Sequence, residues 1–149
     1  MDETIQNTLH RENLSLAPIS KRSAAFVIDE LLLSFLLIVA LWDQFQNAKD
    51  MEEIIYVTNS FVLEYLFMKI VYQAFFTMQY GASIGKLVMK IKVIEIRTLS
   101  NPNVISSLNR AIFRIVSEML FYLGFLWGIM QESRQTWHDK TAKTLVINA

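Results

Sequence analysis

The chain has 149 residues, of which 53% are hydrophobic and 19% charged, with a formal net charge of zero. Soluble domains carry about a quarter charged residues and fewer apolar ones, so this balance places the chain in the membrane class. There is no basic excess for a nucleic-acid partner, and the lack of cysteine excludes disulfides, thiol catalysis and Cys-type metal sites.

Residues 1–20 form a polar N-terminal segment, expected to be mobile or to lie at the membrane surface; residues 21–149 read as one membrane domain. A membrane-crossing helix needs roughly 20 apolar residues, and three blocks approach that length. The first covers residues 23–41. It lacks the small-x-small cleavage site of a secretory signal and reads as a retained anchor. Asp29 and Glu30 sit side by side inside it. A short acidic loop, DQFQNAKDMEE, leads to the second block, residues 54–78.

The loop over residues 79–110 begins with GASIGK. A phosphate loop needs four residues between its glycines and Ser or Thr after the lysine. This stretch has three and Leu87, and it reads as a turn at the membrane surface. KLVMKIKVIEI follows, with apolar residues near every second position, a strand pattern. NPN at residues 101–103 marks a turn. The third block covers residues 111–130, and the tail ends in a second β-rich run, KTLVINA. Two short strands are unstable alone and gain by pairing, which requires both on one face of the membrane. The third block is therefore expected to enter and return as a bent or re-entrant hairpin, turning around Leu123 and Gly124. One straight span is the rival. Trp42, Trp127 and Trp137 fall at or near block ends, where interfacial anchors belong.

Lys and Arg concentrate in short cytoplasmic loops. Three cations precede block one (Arg11, Lys21, Arg22), only Lys49 lies between blocks one and two, and five follow block two (Lys86, Lys90, Lys92, Arg97, Arg110). The expected topology has the N-terminus and the 79–110 loop inside the cell and the acidic loop outside.

Six ionisable residues lie inside the apolar blocks: Asp29, Glu30, Glu64, Lys69, Arg114 and Glu118. Asp, Lys or Arg at the bilayer centre costs at least ~2.5–3.5 kcal/mol, so such groups face the bundle interior and pair. A rise of ~1.5 Å per residue puts Asp29, Glu30, Lys69, Arg114 and Glu118 in the cytoplasmic half, with Glu64 near the midplane. Arg114 and Glu118, four apart, read as a structural ion pair. Glu64 and Lys69, five apart, point away from each other. Asp29 or Glu30 is the expected partner of Lys69. Four acids against two bases leave an acidic excess, so at least one carboxylate is expected to hold a proton or a cation. With only His10 and His138 available, no metal site or cofactor is expected, and no catalytic constellation is present.

Three motifs, in order, resemble the RDD family of small prokaryotic membrane proteins, named for an arginine and two aspartates. Arg22, Ala25 and Asp29 match its opening pattern R-x-x-A-x-x-x-D. GASIGKLVMKIKVIEI resembles its middle motif, and LGFLWGIMQESRQTWHDKTAKTLVI its ending, with Arg134, His138, Asp139 and Thr144 in place. Lys90 and Lys143 depart from the pattern, standing where many members have glycine. The resemblance implies that Arg22, Asp29 and Asp139 are the signature residues, and it implies an ion-transport role of the cation/proton-exchange kind.

The expected architecture is an all-α membrane protein: a small transmembrane helical bundle of two spans plus a third spanning or re-entrant block, with a short cytoplasmic β element. It is placed in the inner membrane as a multi-pass, non-enzymatic protein. Asp29, Glu30, Glu64 and Lys69 line the expected path for Na⁺, K⁺ or H⁺, with Asp29 as the titrating or cation-binding group. Glu30 and Glu64 serve as auxiliary carboxylates and Lys69 as the counter-charge, and Arg22 with Asp139 forms an interfacial gate or clamp. So few spans call for a homo-oligomer or a larger membrane complex. The competing reading is a non-transporting accessory or assembly subunit that docks such a complex.

Overall fold

The computed structural model describes residues 3–149. Its elements run α1 (Glu3–Arg11), α2 (Ile19–Ala40), α3 (Trp42–Asn47), α4 (Met51–Ser60), α5 (Val62–Tyr80), α6 (Ile84–Val88), β1 (Ile91–Glu95), α7 (Val104–Met119), α8 (Leu123–Met130), α9 (Trp137–Thr141) and β2 (Thr144–Asn148). Among the described residues, α2 is the one helix long and apolar enough by itself to cross a membrane. Two bent pairs reach that length together: α4 with α5, at 52°, and α7 with α8, at 103°.

The long helices are amphipathic in the inverse sense to a soluble bundle. α5 buries Lys69, Gln73 and Thr77, one face at a spacing of four, and exposes Leu63, Phe67, Val71 and Phe75. α7 buries Ser107, Arg110, Arg114 and Ser117 and exposes Ile105, Leu108, Ile112 and Met119. α2 turns Ala25, Asp29 and Leu33 inward and Val27, Leu31 and Phe35 outward. Polar stripes facing each other under an apolar surface of this extent match a lipid environment. The adjacent carboxylates of α2, Asp29 and Glu30, thus face a polar seam between helices.

The apolar core lies elsewhere, around the sheet. β1 and β2 pair antiparallel, with Val93 opposite Val146 and Ile94 opposite Leu145. One face packs Ile91, Val93 and Val146 on Ala17 and Ala25. The other packs Ile94, Leu145 and Ile147 on Ile5, with Leu9 of α1 against them. The N-terminal segment, expected to be mobile or at the membrane surface, packs on the sheet through Ile5, Leu9 and residues 15–17. Its backbone extends the ladder, since Ala17 N–H donates to Val146 O at 2.9 Å and Asn148 N–H to Ser15 O at 2.9 Å.

Three expectations need correction. Block two is not one helix. It breaks at Phe61, where the Thr58 and Ser60 hydroxyls donate back to the Ile54 and Tyr56 carbonyls; such back-bonding bends helices. The turn in block three falls earlier than Leu123 and Gly124, at Phe121 and Tyr122, both left-handed at φ 54° and 62°. Gly124 is used instead for close packing, its Cα facing the Ser117 side chain. Finally, GASIGK is more than a turn. Gly81 is the left-handed cap of α5 at φ 70°, and Ser83 opens α6, which packs on α2.

Candidate functional site

Asp29 sits where α2 and α6 touch. Gly85 is so close to α2 that a Cβ there would lie 2.1 Å from the Ala25 carbonyl oxygen. This approach lets Gly85 N–H donate to Asp29 Oδ1 at 2.8 Å and the Ser83 hydroxyl to Oδ2 at 2.6 Å. From α5, the Tyr72 hydroxyl donates to Oδ1 at 2.7 Å and Gln73 Nε2 to Oδ2 at 3.3 Å. Tyr72 in turn accepts the Ile84 N–H at 3.1 Å. Asp29 is 1% exposed. A carboxylate offers about four lone-pair sites, and four donors occupy them here. Its role in this arrangement is to join α2, α5 and α6.

Glu30, one position on, faces a different group. Lys69 Nζ lies 2.9 Å from Glu30 Oε1 and 2.5 Å from Glu118 Oε2. Arg114 Nη2 donates to Glu30 Oε1 at 3.3 Å and its Nε to Glu118 Oε1 at 3.2 Å. Two acids and two bases thus form a closed square, each acid shared by both bases. Arg114 also stacks over the Phe26 ring, 4.7 Å from its centroid, and reaches within 3.9 Å of Asp29. Three corners are nearly closed, while the Glu30 side chain is 26% exposed.

The third group closes the end of the seam near the sheet. Asp139 is fully buried and accepts from Arg22 on one oxygen and Arg110 on the other. Arg22 also donates to the Arg134 carbonyl, and Arg110 to the Thr144 hydroxyl. Thr136 caps α9 through its N–H at 3.0 Å and hydroxyl at 2.8 Å, both to Asp139 Oδ2. Burial alone would raise this carboxyl, but the Arg22 and Arg110 guanidiniums outweigh it and hold it well below the usual range. Burial pushes His138 well below its ordinary value, so the imidazole is neutral near pH 7. Since the Thr136 hydroxyl donates to Asp139, it accepts from His138 Nε2 at 3.0 Å.

The RDD family model matches residues 16–143. The chain belongs to the RDD family. No curated protein and no solved structure matches it. The three signature positions of this RDD protein fall into two places. Arg22 and Asp139 meet in the clamp, at 2.5 Å, while Asp29 anchors α6 two turns further along α2. The two glycine departures, Lys90 and Lys143, are both left-handed, at φ 54° and 53°. There an L side chain is strained and glycine is not.

Among the predicted residues, Glu30, Lys69, Arg114 and Glu118 come together, and Lys69 pairs with Glu30 and not with Asp29. Glu64 stands apart, exposed in the first turn of α5. Five residues of helix rotate it off the Lys69 face. Without it three acids still face two bases, and the expected acidic excess is reversed only because Arg22, Lys86 and Arg110 join the seam with a single further acid, Asp139. In the polar seam, among the described residues, four carboxylates (Asp29, Glu30, Glu118, Asp139) meet five cationic side chains (Arg22, Lys69, Lys86, Arg110, Arg114). By sequence Arg110 and Lys86 count as loop cations. The signal that could have moved Arg110 inward was its place on the 107/110/114/117 stripe of α7.

Proposed function

We propose that the protein moves protons or monovalent cations across the inner membrane by exchange through the polar seam, with its N-terminus and β element on the cytoplasmic side. One observation supports this reading: the Glu30–Lys69–Glu118–Arg114 square is closed at three corners and open at Glu30. Ionisable side chains within a membrane mark ion or proton pathways by default. A proton or cation taken up at Glu30 weakens its hold on Lys69 and Arg114, and both bases can then turn wholly to Glu118. Glu30 is the working carboxylate in this scheme and Asp29 a fixed support, since Asp29 has its lone pairs occupied. The cytoplasmic placement follows the excess of Lys and Arg in the N-terminal and 79–110 segments. The protein acts as a non-enzymatic carrier. With one helix of full span length and two bent pairs, a homo-oligomer or a larger membrane complex completes the pathway.

The test uses proteoliposomes of purified protein loaded with a pH-sensitive dye, with Na⁺ or K⁺ added outside. Cation-dependent proton movement is expected in the wild type and is lost in Glu30→Gln. Well-folded, oriented protein without flux overturns autonomous transport. A second reading, a non-transporting accessory subunit, draws on the complete pairing of Asp29 and Asp139, which suits a rigid docking piece. It predicts inactivity alone and reproducible co-purification with a larger complex.

A further inference from the structure

Between the Asp29 cage and the Asp139 clamp lies a cavity of about 40 Å³. One buried water needs roughly 10–15 Å³ by this measure, so there is room for a small ion together with a water. Four cationic side chains border it: Arg22 from α2, Lys86 from α6, and Arg110 and Arg114 from α7. Of the carboxylates, only Asp29 does so.

The counter-charges nearby are divided among several bases. Asp139 is one carboxylate between two guanidiniums, and Glu30 and Glu118 are shared between Lys69 and Arg114. Asp29 gives its oxygens to Gly85, Ser83, Tyr72 and Gln73, leaving Lys86 only a 3.4 Å contact with the Ser83 hydroxyl. Those four donors are neutral, so Asp29 still attracts Lys86, but five bases against four carboxylates leave one positive charge in excess, and four of the five bases line the cavity. Phe26 and Phe125 also line it, and apolar walls lower the local dielectric.

We propose that this cavity binds a small monovalent anion of halide size, held by Lys86 and the Arg22, Arg110 and Arg114 guanidiniums. One negative charge balances the cluster, whereas a dianion overshoots it and a polyatomic anion exceeds the space. His138 borders the same cavity, and its Nδ1 is buried without a protein partner. As an acceptor it takes a hydrogen from a water and not from the anion, which places the anion towards Lys86. The charged and titratable groups that line the cavity with Lys86 are Arg22 and Asp29 of α2, Arg110 and Arg114 of α7, and His138 of α9; behind them, Tyr72 of α5 bonds to Asp29 and Asp139 of α9 to Arg22 and Arg110. From β1, Lys92 lies beside Gly81. Burial, with Arg114 next, pushes the Lys86 amine down to about 7 against the opposing pull of Asp29. An anion at its side restores the proton, so binding above that pH takes up a proton from solution.

The experiment is thermal unfolding of the purified full chain in detergent at constant ionic strength, with chloride or bromide replacing gluconate. The expected result is a rise of a few degrees over a roughly hundredfold halide range. An alkaline drift should accompany halide addition to weakly buffered protein at pH 8. Sulfate should do neither. Lys86→Met and Lys86→Gln should remove both the halide shift and the proton uptake; Met keeps the volume, Gln keeps a donor, and either one folded suffices. A folded wild type that unfolds at the same temperature in halide and gluconate overturns the proposal. So does equal stabilisation by sulfate, or a halide effect that survives in a folded Lys86 variant. Because the readout is binding, absence of flux in the liposome assay leaves this result standing, and the reverse also holds.

Discussion

Replacing Gly85 with alanine tests whether the α2–α6 contact organises the site. The added Cβ would stand 2.1 Å from the Ala25 carbonyl oxygen, 3.0 Å from its carbon and 2.9 Å from Asp29 Oδ1. Two of these neighbours are backbone, so relief requires α6 to move away from α2 by more than an ångström. Overpacking of this kind costs typically ~1–3 kcal/mol. The same movement breaks the 2.8 Å bond from Gly85 N–H to Asp29, and a hydrogen bond to a charged group is worth ~1.5–3 kcal/mol. The expected loss is about 3–5 kcal/mol, a fall in Tm of roughly 10 °C for a chain of this size, read by unfolding of purified protein in detergent. Gly128→Ala serves as the comparison, because its Cβ would meet first the Thr136 methyl at 2.8 Å, a side-chain atom, and it is expected to lose less. A Gly85→Ala protein as stable as the wild type would show that α6 does not press on α2 and that Asp29 is not caged as described.

Lys69→Met leaves Glu30 and Glu118 facing each other with Arg114 as their only shared base, and removal of one partner from a buried ion network costs ~3–5 kcal/mol. Adding Glu118→Gln should recover part of this loss in a double-mutant cycle by chemical denaturation; additive losses would refute the shared square. Lys90→Gly and Lys143→Gly should each stabilise by about 1 kcal/mol. They flank opposite ends of the β1–β2 ladder, so their Tm increments should add, and a fall in Tm on either change would refute the strain. Stability should also rise with pH. Lys86 has a folded value of about 7 against 10.5 for the free side chain, so the unfolded chain holds more protons between these limits and stability grows as pH climbs through them. His138 is lowered from 6.5, so its contribution is lost as pH falls below 6.5. A Tm that declines from pH 7 to 9 without halide would contradict the Lys86 environment.

Several features of the site were legible in residue spacing. The i,i+4 relation of Arg114 and Glu118 and the matching depths of Glu30 and Lys69 follow from helix geometry alone, and the structure joins all four. Alternation in KLVMKIKVIEI and KTLVINA marked two strands that do pair. What misled was one-dimensional charge counting. Glu64 falls within an apolar block yet points away from the seam, and Arg110 stands at the edge of a loop yet is buried against Asp139. Hydropathy reports the mean of a segment, whereas pairing depends on the face each residue takes.

The sequence by itself determined that the protein is membrane-borne, which helices carry charge inward and which family signature they present. These depend on composition and on the 3.6-residue period, both local properties of the chain. Only the tertiary structure decided that Asp29 supports α6 while Glu30 opens the ion square, that Asp139 is shared by two arginines, and that an excess of positive charge faces a cavity. Each of these depends on contacts between residues far apart in the chain, Arg22 with Asp139 above all. Such contacts are fixed by where helices cross, and here the crossing of α2 and α6 is set by the one position, Gly85, that has no Cβ to keep them apart.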